Sequence, residues 1–169
     1  MFMKPRYTIN KNFVQMAGHR DRYGKQCTHV IETNKTFMVD KSPLEILDES
    51  IRSIGYDLRG AIETSKRLLG NVHCCPVLVN PIDRIVVFPT KSAKNEECVW
   101  FNPAHIKRTS SLNLKTSITY SNGKTKCIAA KLSSFNSKIK RAEQLEEMTR
   151  GSIFFTVEKT KKRFRKRQK

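Results

Sequence analysis

From Cys98 to Ala142 the chain holds no aspartate and no glutamate, yet nine cations fall in those forty-five residues: Lys107, Arg108, Lys115, Lys124, Lys126, Lys131, Lys138, Lys140 and Arg141. A segment without carboxylates cannot neutralise its own cations, so its charge is left for a partner. Apolar residues alternate through the same stretch (Val99, Phe101, Ile106, Leu112, Leu114, Ile118, Tyr120, Ile128, Leu132), which marks a folded surface rather than a low-complexity tail. A polyanion, above all a nucleic acid, is the expected partner.

Other absences narrow the field. No apolar run approaches the roughly 20 residues of a membrane helix. Lys4 and Arg6 are followed by no apolar stretch or small-residue cleavage site, so a cytoplasmic protein without membrane contact is expected. Cys27, Cys74, Cys75, Cys98 and Cys127 are odd in number and read as reduced thiols. His73, Cys74 and Cys75, with Cys98 and His105, lack the paired spacing of structural zinc, and no metal is expected. No phosphate-binding glycine loop, nucleophile elbow or metalloprotease helix occurs, so neither a cofactor nor an enzyme activity is expected. A metal-dependent nuclease would need clustered carboxylates, for which Asp83, Glu96 and Glu97 are the loop candidates.

What is present agrees with a polyanion partner. The chain carries 33 basic against 15 acidic residues, a net +18. Eight of the cations crowd the end (Lys159, Lys161, Lys162, Arg163, Arg165, Lys166, Arg167, Lys169), but without Glu158–Lys169 the remainder still carries +11. The length of 169 residues and 38% hydrophobic content suit one modest core. We expect a single α+β domain over residues 1–157, an antiparallel hairpin-rich sheet packed by two to three helices, followed by a flexible polybasic tail over 158–169.

Strands are expected at Tyr7–Ile9, Phe13–Ala17, Cys27–Glu32 and Thr36–Val39. Ser42, Pro43 and Glu45 then occupy N-cap, N1 and N3 of a helix whose stripe is Leu44, Leu47, Ile51 and Ile54, with Gly55 ending it. A second helix begins at Asp57, turns Leu58, Ala61, Ile62, Leu68 and Leu69 inward, and stops at Gly70. The pair invites comparison with a helix-turn-helix, in which Arg59 and Arg67 would face DNA. The ordinary alternative is a solvated ladder of Arg59, Glu63 and Arg67 at i, i+4 spacing. Further strands are expected at Pro76–Val79, Arg84–Phe88, Glu97–Phe101 and His105–Arg108.

Asn122-Gly123 is the preferred pair for a two-residue type I′ hairpin turn. With Ser121 opposite Lys124, Ile118, Tyr120, Thr125 and Cys127 share an inner face with Leu112, Leu114 and Ala129. Lys115, Ser117, Thr119, Ser121, Lys124 and Lys126 share the outer one, where lysines among hydroxyls suit phosphate oxygens. Lysine is also common on wet sheet faces and edges; the missing carboxylates favour the phosphate reading. From Ser134 to Arg150 a helix buries Phe135, Ile139, Ala142 and Leu145. It carries Lys138, Lys140 and Arg141 early and Glu143, Glu146 and Glu147 late, against its dipole. A last strand is expected at Ser152–Val157. Trp100 and Phe101 read as core aromatics rather than base-stacking ones.

Four ordered blocks, SPLEILDESIRSIGYDLRGAIETSKRLLG from Ser42, HCCPVLVNPIDRIVVFPT, ECVWFNPAHI and TYSNGKTKCIAAKLSSFNSKI, resemble the ComK family of competence transcription factors over roughly Lys25 to Leu145. The resemblance implies a bacterial, nucleoid-associated activator of DNA-uptake genes. It would bind paired A·T-rich boxes in double-stranded DNA through the minor groove, as homodimers or dimers of dimers, with RNA polymerase and a proteolytic adaptor as further partners. The chain departs from the family after Leu145, where a short strand and the basic tail stand in place of further ordered sequence. The resemblance fixes no contact residues. On physical grounds Lys107, Arg108, Lys115, Lys124, Lys126, Lys138, Lys140 and Arg141 are the DNA-binding candidates, with Arg59 and Arg67 behind them. An RNA-binding or ribosome-associated protein is the alternative that the same charge would serve.

Overall fold

The structure, a computed structural model, describes residues 3–167, with side chains through Arg150. The strands are β1 (Met3–Lys4), β2 (Phe13–Arg20), β3 (Gln26–Glu32), β4 (Thr36–Val39), β5 (Val77–Asn80), β6 (Ile85–Pro89), β7 (Val99–Phe101), β8 (Ile106–Leu112), β9 (Lys115–Tyr120) and β10 (Thr125–Ile128). The helices are α1 (Pro43–Arg52), α2 (Leu58–Leu69) and α3 (Leu132–Arg167). Seven strands make one sheet in the order β1-β4-β3-β2-β7-β6-β5, antiparallel except for the β1–β4 pair. A second, antiparallel sheet has the order β10-β9-β8. The class is α+β, as the hairpin signals and amphipathic helices require.

Alternation along the central strands buries both faces of the large sheet. One face sets Phe13, Met16, Val30 and Trp100 against Ile46, Leu47 and Ile51 of α1. The other sets Val14, Val86, Phe88 and Phe101 against Phe135, Ala142 and Leu145 of α3, and against Ile118 and Tyr120 of β9. Trp100 and Phe101 are therefore core residues, one on each face. Buried between two layers, β6 reads as the unbroken apolar run IVVFP rather than as an alternating strand.

Local chemistry explains α1 and α2. The Ser42 hydroxyl accepts from the Glu45 N–H at 3.2 Å while the Glu45 carboxylate accepts from the Ser42 N–H at 3.3 Å, a complete capping box. Asp57 caps α2 by accepting from the Gly60 N–H at 2.7 Å. Leu58, Ala61 and Ile62 pack on the α1 side and Leu68 and Leu69 on the α3 side, so α2 wraps the sheet edge beside β5.

Three expectations are corrected. Tyr7–Ile9 is not a strand: Tyr7 and Ile9 are buried, but the Ile9 N–H donates to Ser50 Oγ at 3.0 Å and the Tyr7 hydroxyl to Glu32 at 3.1 Å, taking the place of a ladder. The third helix starts at Leu132, two residues before the expected Ser134 cap. It does not stop at Arg150 for a strand at Ser152–Val157 but continues as helix beyond that segment. Strand propensity at Ile153, Phe154, Phe155 and Val157 yields because Gly151 costs only about 1 kcal/mol and no proline follows to end the helix. Gln168 and Lys169 lie outside the described residues.

Candidate nucleic-acid interface

The small sheet is built from the acid-free segment and lies on the α3 face of the large sheet. Several polar ties hold it there. The Tyr120 hydroxyl donates to the buried side-chain Oε1 of Gln15 on β2. Thr109 Oγ1 donates to Asn136 Oδ1 of α3 at 2.7 Å, and Thr116 Oγ1 to the Ala130 carbonyl at 2.7 Å. At the hairpin end, the His105 Nε2–H donates to the Lys11 carbonyl at 2.5 Å, which leaves Nδ1 to accept from the Ser121 hydroxyl at 2.9 Å. Asn122 Nδ2 donates to the Thr33 carbonyl at 3.0 Å. The sheet is a fixed platform, and its outer side is free.

Its register differs by one residue from the expected one. Thr125 pairs with Thr119 and Lys126 with Ile118. Gly123 has φ 85°, the Gly123 N–H donates to the Tyr120 carbonyl at 2.9 Å, and Tyr120 N–H to the Lys124 carbonyl at 2.9 Å. Asn122 is not in the left-handed region, so the loop is a three-residue turn closed by a glycine bulge and not a type I′ turn. The type I′ geometry occurs one hairpin earlier: Leu112 pairs with Lys115, and Asn113 and Leu114 between them have φ 46° and 66°.

A one-residue slip flips a strand's faces. Thr125 and Cys127, expected inside, point outward and are exposed, while Lys126 and Ile128 point inward. Leu112 and Leu114, also expected inside, are 51% and 87% exposed. The outer face consists of Arg108, Ser110 and Leu112 on β8, Lys115, Ser117 and Thr119 on β9, and Thr125 and Cys127 on β10. Lys107 stands exposed at a bulge beside it and Lys124 in the adjoining turn. Rows of hydroxyls thus lie between cations.

No carboxylate answers them. Among the described residues, the ion pairs involve Lys11, Arg20, Lys25, Lys35, Lys41, Arg52, Arg59, Lys91 and Arg150, and none of the nine cations between Cys98 and Ala142. Lys4, Arg6, Arg22, Lys66, Arg67, Arg84 and Lys94 are likewise in no ion pair among the described residues, but they are scattered, whereas the cations of the acid-free segment cluster on the small sheet, its turns and the first half of α3.

Lys126 belongs to a different environment. Half-buried beside Ile118, its ammonium is pushed to a lower pKa by burial. His29 on β3 is lowered first by its own burial and then by the Lys126 charge. A base whose folded pKa is depressed binds fewer protons folded than unfolded, so stability is lost as pH falls through the ordinary histidine range near 6.5. Lys126→Met should therefore keep or raise the thermal midpoint at about pH 7 and shrink its decline between about pH 7 and pH 5.5. A lower midpoint with an unchanged decline would contradict this placement.

The remaining candidates do not gather on the small sheet. Lys138 Nζ donates to the Thr90 carbonyl at 2.7 Å, tying α3 to the end of β6. Arg141 is half-buried near Cys75 and Lys66 at the α2 side, whereas Lys140 is exposed. On α2, Arg59 is exposed and paired with Glu63 at 3.4 Å, and Arg67 is exposed. The surface beside Arg59 also holds Glu45, Asp48 and Glu63, so it is mixed in charge. Among the described residues no three metal-ligating side chains converge, and no helix is long and apolar enough to cross a membrane.

Sequence reasoning missed Ser110, Leu112, Leu114, Thr125 and Cys127 as surface residues. The signal available was Asn113, a residue that favours left-handed backbone, set between the two leucines.

A family model described as ComK protein matches residues 4–153, extending beyond both ends of the region where the four blocks lie. The chain is 31% identical over 137 residues to the competence transcription factor of Bacillus subtilis (strain 168), which covers 80% of this chain and 71% of that protein. No solved structure matches.

Proposed function

The chain belongs to the ComK protein family, and on that premise we propose that it activates transcription of competence genes by docking its three-stranded sheet on A·T-rich double-stranded DNA. The observation that supports the reading is the outer face of that sheet: Arg108 and Lys115 among hydroxyls, flanked by Lys107 and Lys124, none of them in an ion pair among the described residues. Cations and hydroxyls of this kind bind phosphate and set register, while A·T preference arises from groove width and deformability. Paired boxes call for homodimers or dimers of dimers, and activation calls for contact with RNA polymerase. Regulated proteolysis through an adaptor belongs to the same proposal, as does action at the nucleoid. The protein acts by binding and does no chemistry on its partner.

Competition binding at physiological salt tests this. An A·T-rich duplex should compete better than a G·C-rich duplex or a structured RNA. Equal competition by all three would defeat the promoter reading, and preference for the RNA would replace it with an RNA-binding one.

A further inference from the structure

The type I′ turn at the tip of the β8–β9 hairpin is built from an unfavourable residue pair. Both central residues of such a turn need positive φ, which glycine adopts freely and asparagine tolerates, but which drives the Cβ of leucine toward its own carbonyl. The chain places Asn-Leu there, with Leu114 at φ 66°, while its Asn-Gly pair serves a turn that needs only one such residue. Leu114 is also 87% exposed, and Leu112 behind it is 51% exposed. The free protein thus holds an apolar side chain in strained backbone and in water, at the tip of a hairpin. Strain kept at an exposed position points to a role in the bound state.

The surroundings say what that partner is. Lys115 follows the tip, Arg108 lies on the same face, and that face carries no acid. A protein partner with an apolar pocket would meet these cations only if its rim were acidic, whereas duplex DNA offers phosphates at the rim and apolar base faces within. Taking the duplex-binding reading above as given, we propose that Leu114 is a wedge. It enters the groove at the hairpin tip and inserts between adjacent base pairs, unstacking one step and kinking the duplex, while Arg108 and Lys115 hold the flanking phosphates. Leucine is among the side chains able to act in this way, and such insertions bend DNA by about 20–90°. Flexible pyrimidine–purine steps would be the favoured sites, because they unstack most easily.

The test compares the full chain with Leu114→Gly, which creates the Asn-Gly pair the turn prefers, and with Leu114→Met, which keeps an apolar side chain. Each is bound to a fluorescently end-labelled duplex with a central TA step, and to the same duplex with one unpaired base at that step. The wild-type protein should shorten the end-to-end distance of the intact duplex and bind the bulged one at least about tenfold more tightly, since its unstacking is already done. Leu114→Gly should melt about 2–4 °C higher, keep the salt dependence of binding, and lose both the shortening and the preference for the bulge. Leu114→Met should retain both. Equal bending by Leu114→Gly, or a change in oligomeric state in place of a change in bending, would overturn the wedge and leave duplex binding standing. Failure of the wild-type protein to bind either duplex would instead overturn the DNA reading and the wedge with it.

Discussion

Replacing Arg108 and Lys115 together by glutamate should lower affinity for duplex DNA by about a hundredfold or more at roughly 0.1 M salt. The two cations share the outer face of the small sheet, on β8 and β9, with no carboxylate partner among the described residues. For every phosphate that the protein no longer neutralises, the magnitude of the salt slope should fall by about 0.9. Both residues are exposed, so the thermal midpoint should hardly move, because surface changes of this kind stay within about 0.5 kcal/mol. Arg59→Glu on α2 is the control. That side chain is already paired with Glu63 on a surface of mixed charge, and its reversal should leave affinity within a few-fold. Equal falls in affinity from the two variants, measured by fluorescence anisotropy across a salt series, would move the interface to the helices.

Phe135→Ala should cost about 3–5 kcal/mol, a large share of the stability of a domain this size. Phe135 sits 5.5 Å from the Phe88 ring and 5.3 Å from the Phe101 ring, centre to centre, in edge-on geometry against both. It is fully buried where α3, β6 and β7 meet, in the cluster that also holds Ile118 and Tyr120 of the small sheet. Removing it loosens the helix and the platform together. Urea unfolding should show the destabilisation, and DNA affinity should fall with the folded fraction, with the salt slope of the folded protein preserved. A change below about 1 kcal/mol would mean that α3 is not anchored through this side chain.

The two helices before Gly70 were legible because their signals are local: a capping box at Ser42 and Glu45, an Asp cap at 57, apolar steps of three and four, and a glycine after each helix. The hairpin-rich α+β class followed from alternation and turn residues. The register of β9 and β10 was not legible from Asn122-Gly123 alone. The same two residues serve a two-residue or a three-residue loop, and the choice is made at a distance, by Asn122 donating to Thr33 and His105 bridging Ser121 to Lys11. One residue of slip then moved Lys126 inward beside His29 and Cys127 outward. The run through Ser152–Val157 misled in the opposite way: strand propensity is a weak prior, and a helix with no stop signal beyond Gly151 overrode it.

The cationic character of the small sheet is insensitive to that slip, because it belongs to the segment rather than to single positions. Every outward-facing residue of the small sheet comes from the stretch without Asp or Glu, and that stretch contributes no ion pair among the described residues. Which lysines face outward changed; that the face is cationic and uncompensated did not. Arg108 and Lys115 stand exposed on it, while Lys126 and Lys138 are half-buried and Lys138 is already engaged with Thr90.

Amide hydrogen exchange of the full chain, with and without an A·T-rich duplex, tests most directly whether the small sheet is the DNA-binding surface. Exchange should slow across β8, the Asn113–Leu114 turn and β9 on DNA binding, with α2 unchanged. Slowed exchange around Arg59–Arg67 with an unaffected small sheet would contradict this assignment.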